Sequence, residues 1–435
     1  MASPTTSASE SMQQEPSAQQ SNKPKQPQRK HDRLITRDMA LVMLATFCFM
    51  SSNMLANPIV AGYAESLGAS GMLMGVVAGS MSFISLFCRP IAGNLSDRTS
   101  KRTLVTAGTV LYFTAGLLYY FANSPIMLIM ARVINGVGFA CCSVCLATWM
   151  SLLLPIRHMG AGMGLYGTMN ALAMAVGPAL GIRAQKYIGY RLTFLSSLIL
   201  AAIMLIATLM VKNGGQPVRK KQTDNTTGFS PTMNGSVDEN GTSHKRRFSI
   251  RSILEPRVVP LSLTFMMFAI AYFANQSFIM NYVEARHLPV SADLFFMFYA
   301  VTLLVLRMVL RDLFDSKGFR SWLTLCSLGM LAMLACMTFL FNDWMLLLAA
   351  FFTAVGYGLM SSVTQAQAVV IAGRERSGIA NSTYYAGIDL GMSVGPFVGG
   401  LVYGRLPVVW FYPVFMLTVP VAWLIYLLCV KRVSW

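Results

Sequence analysis

One carboxylate stands inside an apolar stretch, Asp389 in YYAGIDLGMSVGPFVGG, and two arginines stand inside others, Arg89 and Arg132. Of the 17 acids the rest lie in tails, loops or the ends of apolar segments. A charge surrounded by hydrocarbon is costly, so each such residue is a functional candidate by default. A lone carboxyl of this kind can bind and release a proton, which makes Asp389 the natural proton carrier. Its other reading is a permanently paired carboxyl that fastens its helix to a neighbour. Arg132 is the cation to set beside it, against an arginine that only hydrogen-bonds backbone carbonyls or Asn135. The two lie in different halves of the chain, and spacing leaves open whether they meet.

The elements that must position these charges are membrane helices. The chain has 435 residues, 55% hydrophobic and 12% charged, too apolar for a soluble globule. Twelve apolar stretches are long enough to cross about 30 Å of hydrocarbon at about 1.5 Å per residue. They lie near 38–62, 71–93, 103–122, 125–150, 158–183 and 190–211, then near 257–283, 289–310, 320–341, 344–372, 378–403 and 408–430. The fold class is all-α polytopic. The expected organisation is a disordered tail (1–37), a six-helix half (38–211), a polar linker (212–256), a second six-helix half (257–430) and a short tail (431–435). No cleavable signal peptide precedes the first span.

The net charge of +17 is explained by where it sits. With both termini inside, 27 of 34 Lys and Arg fall in or beside cytoplasmic segments, the positive-inside asymmetry. Nucleic-acid binding is then unnecessary as an explanation. The basic run KRRFSIRS, from Lys245 to Ser252, reads as juxtamembrane charge against anionic lipid. All eight cysteines fall in apolar stretches and imply no disulfide framework. Cys141 and Cys145 share a helix face and methionines are abundant, a composition that would suit Cu(I), but no His joins them and the expectation is no metal.

A shift of 218 residues carries Gly177-Pro178 onto Gly395-Pro396, and with them Asn57 onto Asn275, Arg89 onto Arg307, Asp97 onto Asp315, Gly138 onto Gly356 and Tyr166 onto Tyr384. One offset matching features across several helices marks two parallel repeats, related by an axis along the membrane normal, with the substrate expected between them near the midplane. The turn CRPIAGNLSDRTSKR, Cys88 to Arg102, concentrates charge between spans 2 and 3. Gly93 permits close helix approach, Leu95 can anchor in the seam, and Asp97 can accept from helix amides and pair with an arginine in one conformation. The turn is read as a conformational latch of Gly93, Asp97, Arg98 and Arg102, with a degenerate second copy at Arg307 and Asp315, where Arg311 replaces the glycine.

Gly93-x-Leu95-x-Asp97-Arg98 with Lys101 and Arg102 resembles the loop 2–3 signature, motif A, of the major facilitator superfamily, with Ser100 where that family usually has Gly. Arg132-Val-Ile-Asn-Gly136-Val-Gly138 resembles motif B of span 4. Gly164, Gly177, Pro178 and Gly181 resemble motif C of span 5, with Ala173 for its middle Gly. The resemblance covers residues 38 to 430 and implies a transporter that rocks its two halves. Motif C suggests export by proton antiport, and an arginine at the Arg132 position is implied to take part in proton coupling.

In that family spans 1, 4, 7 and 10 line the central cavity, which makes Asn53, Asn57, Asn135, Tyr272, Asn275, Gln276, Tyr357, Gln365 and Gln367 candidate substrate contacts, with Asn170 of span 5 added to them. Asn57 and Asn275 are the best pair, being equivalent in the repeat; each candidate could equally be interhelical glue. Gly177, Gly181 and Gly164 with Pro178, and Gly391, Gly395 and Gly399 with Pro396, are expected as tight seams between the halves.

The combined reading is a secondary active transporter exporting a small organic molecule against protons by alternating access. Its partners are that molecule, protons and the bilayer, as a monomer in a bacterial cell membrane, with no cofactor and no nucleic acid. The alternatives are a nutrient importer by symport or uniport, and a non-transporting sensor on the same scaffold. No nucleophile and base pair, metal triad or phosphate loop supports an enzyme.

Overall fold

The structure is a computed structural model that describes residues 36–154, 159–216, 254–310, 317–373 and 377–429, with a few side chains inside these ranges, Asp97 among them, left undescribed. The two tails, the linker core with its basic run, and Asp315 lie outside the described residues.

Helix starts follow local chemistry. Thr36, Ser70, Ser124 and Asn342 cap with side-chain oxygens the amides three residues on, and Pro125 takes a first-turn place where no amide is needed. The helices are α1 Arg37–Ser66, α2 Gly71–Arg98, α3 Lys101–Phe121 and α4 Pro125–Leu153. A 52-residue helix, Met159–Met210, is broken at Gly189, whose φ of 75° is open to glycine and strained for other residues. Its limbs before and after Gly189 are α5 and α6. There follow α7 Val259–Ala285, α8 Ala292–Val309, α9 Phe319–Thr338, α10 Asp343–Ala372, α11 Ser377–Arg405 and α12 Val408–Cys429. Among the described residues eleven apolar helices are long enough to span and supply twelve spans, each within a few residues of its expected place.

Within the first half α1 packs on the Met159–Met210 helix, and α4 on α2 and α3; within the second α7 packs on α11 and α12, and α10 on α8 and α9. The halves meet through α2 with α11, α1 with α7, and Met159–Met210 with α8. The repeat shift turns the first of these contacts into the third, as a twofold relation requires. Burial follows position: 72% of the apolar window of α1 and 78% of that of α7 are buried, against 28% in α12. Helices apolar all round belong inside, and the exposed Ile126, Ile199, Leu328 and Leu428 face outward where lipid would be.

The turn of α10 at Ala354–Leu359 is π-helical, an irregularity that often marks functional positions. It falls where Gly356 comes close to the backbone of α9 at Met330, and it carries Tyr357.

Candidate functional site

Asp389 has a partner, and it is Arg89. The guanidinium meets the carboxylate side-on, Nε to Oδ2 at 2.6 Å and Nη2 to Oδ1 at 2.9 Å, joining α2 to α11 and therefore one half to the other. The carboxylate side chain is 3% exposed and the arginine 23%. The guanidinium carbon also lies 5.6 Å from the ring centre of Phe139 on α4, so an aromatic face completes the cation's surroundings. Two-point contact of this kind fixes direction as well as distance. Spacing leaves open whether Asp389 meets Arg132; the carboxylate is instead paired with Arg89.

Arg132 is spent inside the first half. Its Nη atoms donate to Asn57 Oδ1 at 3.2 and 3.1 Å, Nε donates to the Val77 carbonyl at 3.2 Å, and Nη2 to the Ala78 carbonyl at 2.6 Å. The arginine thereby ties α4 to α1 and α2, and it is 2% exposed. Arg132→Met removes the donor and leaves the Asn57 amide oxygen buried and unmet, at about 1–3 kcal/mol. Thermal unfolding in detergent should show the loss, and adding Asn57→Leu should recover part of it; melting unchanged from wild type would contradict this role.

The ends of the bundle differ. At the end where α1 stops, Glu65 accepts from Asn281 on α7 and, at 3.2 Å, from Tyr403 on α11. Beside them α2 lies directly against α11. A Cβ added at Gly71 would stand 2.5 Å from the Gly404 Cα, at Gly75 2.6 Å from the Pro396 carbonyl oxygen, and at Gly79 2.5 Å from that of Ser393. These glycines, together with Gly400 and Gly404, form the seam between the halves. The expected seams are corrected on this point. Gly177 and Gly181 press on α1 at Met54 and Leu55, and Gly391, Gly395 and Gly399 on α7 at Ala269, Ile270 and Phe278, all within their own halves, with Pro178 and Pro396 beside them. The surroundings of Gly164 lie outside the described residues.

At the opposite end α2 stands clear. A Cβ at Gly93 would meet nothing within 4 Å, and Leu95 is 40% exposed, so neither makes the close approach expected of it. Pro90, Ile91, Asn94, Leu95 and Arg98 line an open groove there. Ser100, Lys101 and Arg102 of the turn are engaged. Ser100 Oγ donates to the Gly214 carbonyl at 2.7 Å, the Lys101 amide to that of Gly215 at 3.1 Å, the Lys101 ammonium to the Ser96 carbonyl, and the Arg102 guanidinium to that of Val211. Trp149 Nε1 donates to the Asn213 carbonyl at 2.9 Å, and Asp38 accepts from the amides of Lys212 and Asn213. Arg102 thus straps the chain leaving α6.

The family model described as Major Facilitator Superfamily matches residues 42–342 and 294–435. The chain belongs to the Major Facilitator Superfamily. It is 26% identical over 161 residues to an uncharacterized MFS-type transporter of Methanocaldococcus jannaschii, covering 37% of this chain and 42% of that one. It is 33% identical over 169 residues to an SPX domain-containing membrane protein of Arabidopsis thaliana, covering 38% of this chain and 24% of that one. The chain matches less than half the length of these curated relatives. Among solved structures the nucleoside transporter NupG superposes with a TM-score of 0.70 at 11% identity, over 90% of this chain and 99% of that one. A peptide transporter, POT, does so at 0.68 and 13%, over 91% and 94%. At such identities the likeness is one of fold.

In the superfamily fold some polar candidates are held within their own half, wholly or by one atom, and others are left free. Asn57 is held by Arg132, Asn170 Nδ2 donates to the Tyr166 carbonyl of its own helix at 3.2 Å, and Asn275 Oδ1 accepts from Tyr412 of α12 at 2.9 Å. Asn57 and Asn275 therefore serve their own halves, and their equivalence in the repeat does not make them a facing pair. Gln365 Nε2 donates at 3.4 Å to Asn381 and Tyr385 on α11, Gln367 is half-buried, and Asn135 is 5% exposed. Tyr272 stacks flat on Tyr357, ring centres 3.9 Å apart. Among the described residues both amide atoms of Asn53, the amide oxygens of Gln276 and Asn135, the amide nitrogen of Asn275 and the Tyr272 hydroxyl are buried without a hydrogen-bond partner, and Asn53 and Gln276 stand on the two helices, α1 and α7, that meet across the halves. Buried unpaired amides call for a partner.

Sequence reasoning passed over Arg89 as the ion-pair partner, the glycines of α2, and the Glu65 cluster. Arg89 was visible as the second cation within a span. Which helix faces which across two halves is a property of the packing alone.

Proposed function

We propose that this chain is a secondary transporter that exports a small organic molecule in exchange for protons, by alternating access of its two halves. The observation that carries the proposal is the buried ion pair Arg89–Asp389, because it bridges the halves and one of its members can be neutralised by a proton. A proton on Asp389 removes the charge that holds Arg89, loosens α2 from α11, and shifts the balance between conformations by the difference in its affinity for the two. The positive-inside asymmetry places the open Arg98 groove in the cytoplasm and the closed Glu65 cluster outside, the state in which an exporter would load. The unpaired amides of Asn53 and Gln276 are offered to the substrate, while Arg132 holds the first half rigid around them. The fold shared with a nucleoside transporter and a peptide transporter supports transport in general.

The test uses inside-out vesicles with an acidified lumen and a pH-reporting dye, carrying wild type or Asp389→Asn and challenged with a broad panel of metabolites and drugs. The expected result is a compound that releases luminal protons with wild type and not with the variant. Uphill transport by Asp389→Asn equal to wild type overturns the coupling role. Proton movement in the same direction as the substrate makes the protein an importer by symport.

A further inference from the structure

The repeat relates the surroundings of Arg307 to those of Arg89 residue by residue, with one member missing. Shifted by 218 residues, Arg89 becomes Arg307, the Phe139 beneath its guanidinium becomes Tyr357, and Tyr166 becomes Tyr384. Arg307 is within Coulombic reach of the hydroxyls of Tyr299, Tyr357 and Tyr384, all of them buried. Arg89 in turn acts on Tyr166. The shift also carries the α2 contact with α11 onto the contact of α8 with the helix Met159–Met210. The place equivalent to Asp389 is then Ala171, and the place equivalent to Tyr385 is Gly167, where an added Cβ would meet nothing within 4 Å. Ala171 stands one helical turn from Gly167, on the same face. The first half therefore offers a methyl group and open space where the second half offers a carboxylate and a phenol.

Arg307 bears the consequence. Its Nε is buried without a hydrogen-bond partner, and no ion pair reaches it among the described residues. An arginine whose Nε is left this way, coupled electrostatically to buried phenols, can receive an oxyanion through its guanidinium donors. We propose that Arg307 binds the carboxylate of the transported substrate, which fills the place Ala171 leaves empty, so that the substrate class is organic carboxylates. The expected latch role of Arg307 gives way to this one. The inference rests on the transport reading for the word substrate, and on the repeat geometry for the site.

Binding alone tests it, independently of proton coupling. The full-length protein in nanodiscs is titrated with matched aromatic and aliphatic pairs, benzoate with benzamide and hexanoate with hexanamide, and with inorganic phosphate, reading thermal stabilisation. Wild type should be stabilised by at least one carboxylate and not by its amide. Arg307→Gln should weaken that binding about tenfold or more, and Arg307→Lys by less. Ala171→Asp, which installs the missing carboxylate, should abolish it while raising the melting temperature of the unliganded protein. Asp389→Asn should keep the carboxylate response, so a failed coupling role leaves this result standing. Equal stabilisation by acid and amide, no response to any carboxylate, or a response unchanged in Arg307→Gln overturns the proposal. Stabilisation by phosphate alone assigns the site to a different oxyanion and overturns the carboxylate class.

Discussion

Arg89→Gln is expected to damage the protein more than Asp389→Asn, although the two substitutions delete the same ion pair. The asymmetry comes from what each leaves behind. Removal of Arg89 strands a carboxylate whose side chain is 3% exposed, and breaking a buried pair in this way costs about 3–5 kcal/mol while the carboxylate stays ionised, a cost that falls as the pH is lowered and it takes up a proton. Removal of Asp389 strands a guanidinium that is 23% exposed and still lies over the Phe139 ring, so its charge keeps a route to water and an aromatic face. Both variants should lose uphill transport, because each uncouples proton binding from the α2–α11 contact. The exchange Arg89→Asp with Asp389→Arg rebuilds the pair in reverse and should recover a large part of the stability that Arg89→Asp loses, a coupling that a double-mutant cycle reads directly. Melting temperatures of the four proteins in one detergent decide it. Additive losses would mean that the pair contributes no energy across the halves.

The second large effect concerns Gly75. A Cβ there would lie 2.6 Å from the Pro396 carbonyl oxygen and 3.0 Å from the Gly400 Cα, both backbone atoms that a side chain cannot push aside cheaply. Gly75→Leu should keep α2 from seating on α11 and hold the Glu65 end open. Each half makes its internal contacts through other faces, Gly177 and Gly181 on α1 and Gly391 and Gly395 on α7, so the halves should still fold. Transport should fall by about a hundredfold or more, since closing one end is obligatory in every cycle. A cysteine at Ser277, which is 4% exposed and one turn from Asn281 on the same face of α7, reports the state. It should react with an impermeant maleimide only when Gly75→Leu is present. Protection equal to that in the parent would show that the seam tolerates the side chain.

Much of this architecture is legible from one sequence because membrane helices declare themselves by length and composition, and because a repeat doubles every signal. The spans, the break between α5 and α6 near Gly189, and the twofold relation all follow. Asp389 is legible for the same reason: a carboxylate within a span has no ordinary excuse. Its partner is not, since Arg89 lies 300 residues away and only the docking of α2 on α11 selects it over Arg132. The glycine stripes show the same limit. Spacing says that a helix will be approached closely, and the stripe of α5 meets α1 while the equally spaced one of α2, Gly71, Gly75 and Gly79, meets the other half. Asn57 and Asn275 teach a further point, for sequence equivalence gave them one role where the structure gives each a separate one, beside Arg132 and Tyr412.

The strap after α6 bears on how the molecule is made. Residues 211–215 are bound by Asp38, Ser100, Lys101, Arg102 and Trp149, all of which precede them in the chain. Arg132 likewise finds its partners on α1 and α2, behind it. By the time synthesis reaches Gln216 the first half holds every group it needs to close upon itself, while the contacts that bridge the halves wait for Asn281, Asp389 and Tyr403. Domains emerging from the ribosome fold in that order, first half before second. The nascent first half is a finished piece that awaits its mate, and α7, α8 and α11 are the later helices that turn two folded bodies into one machine.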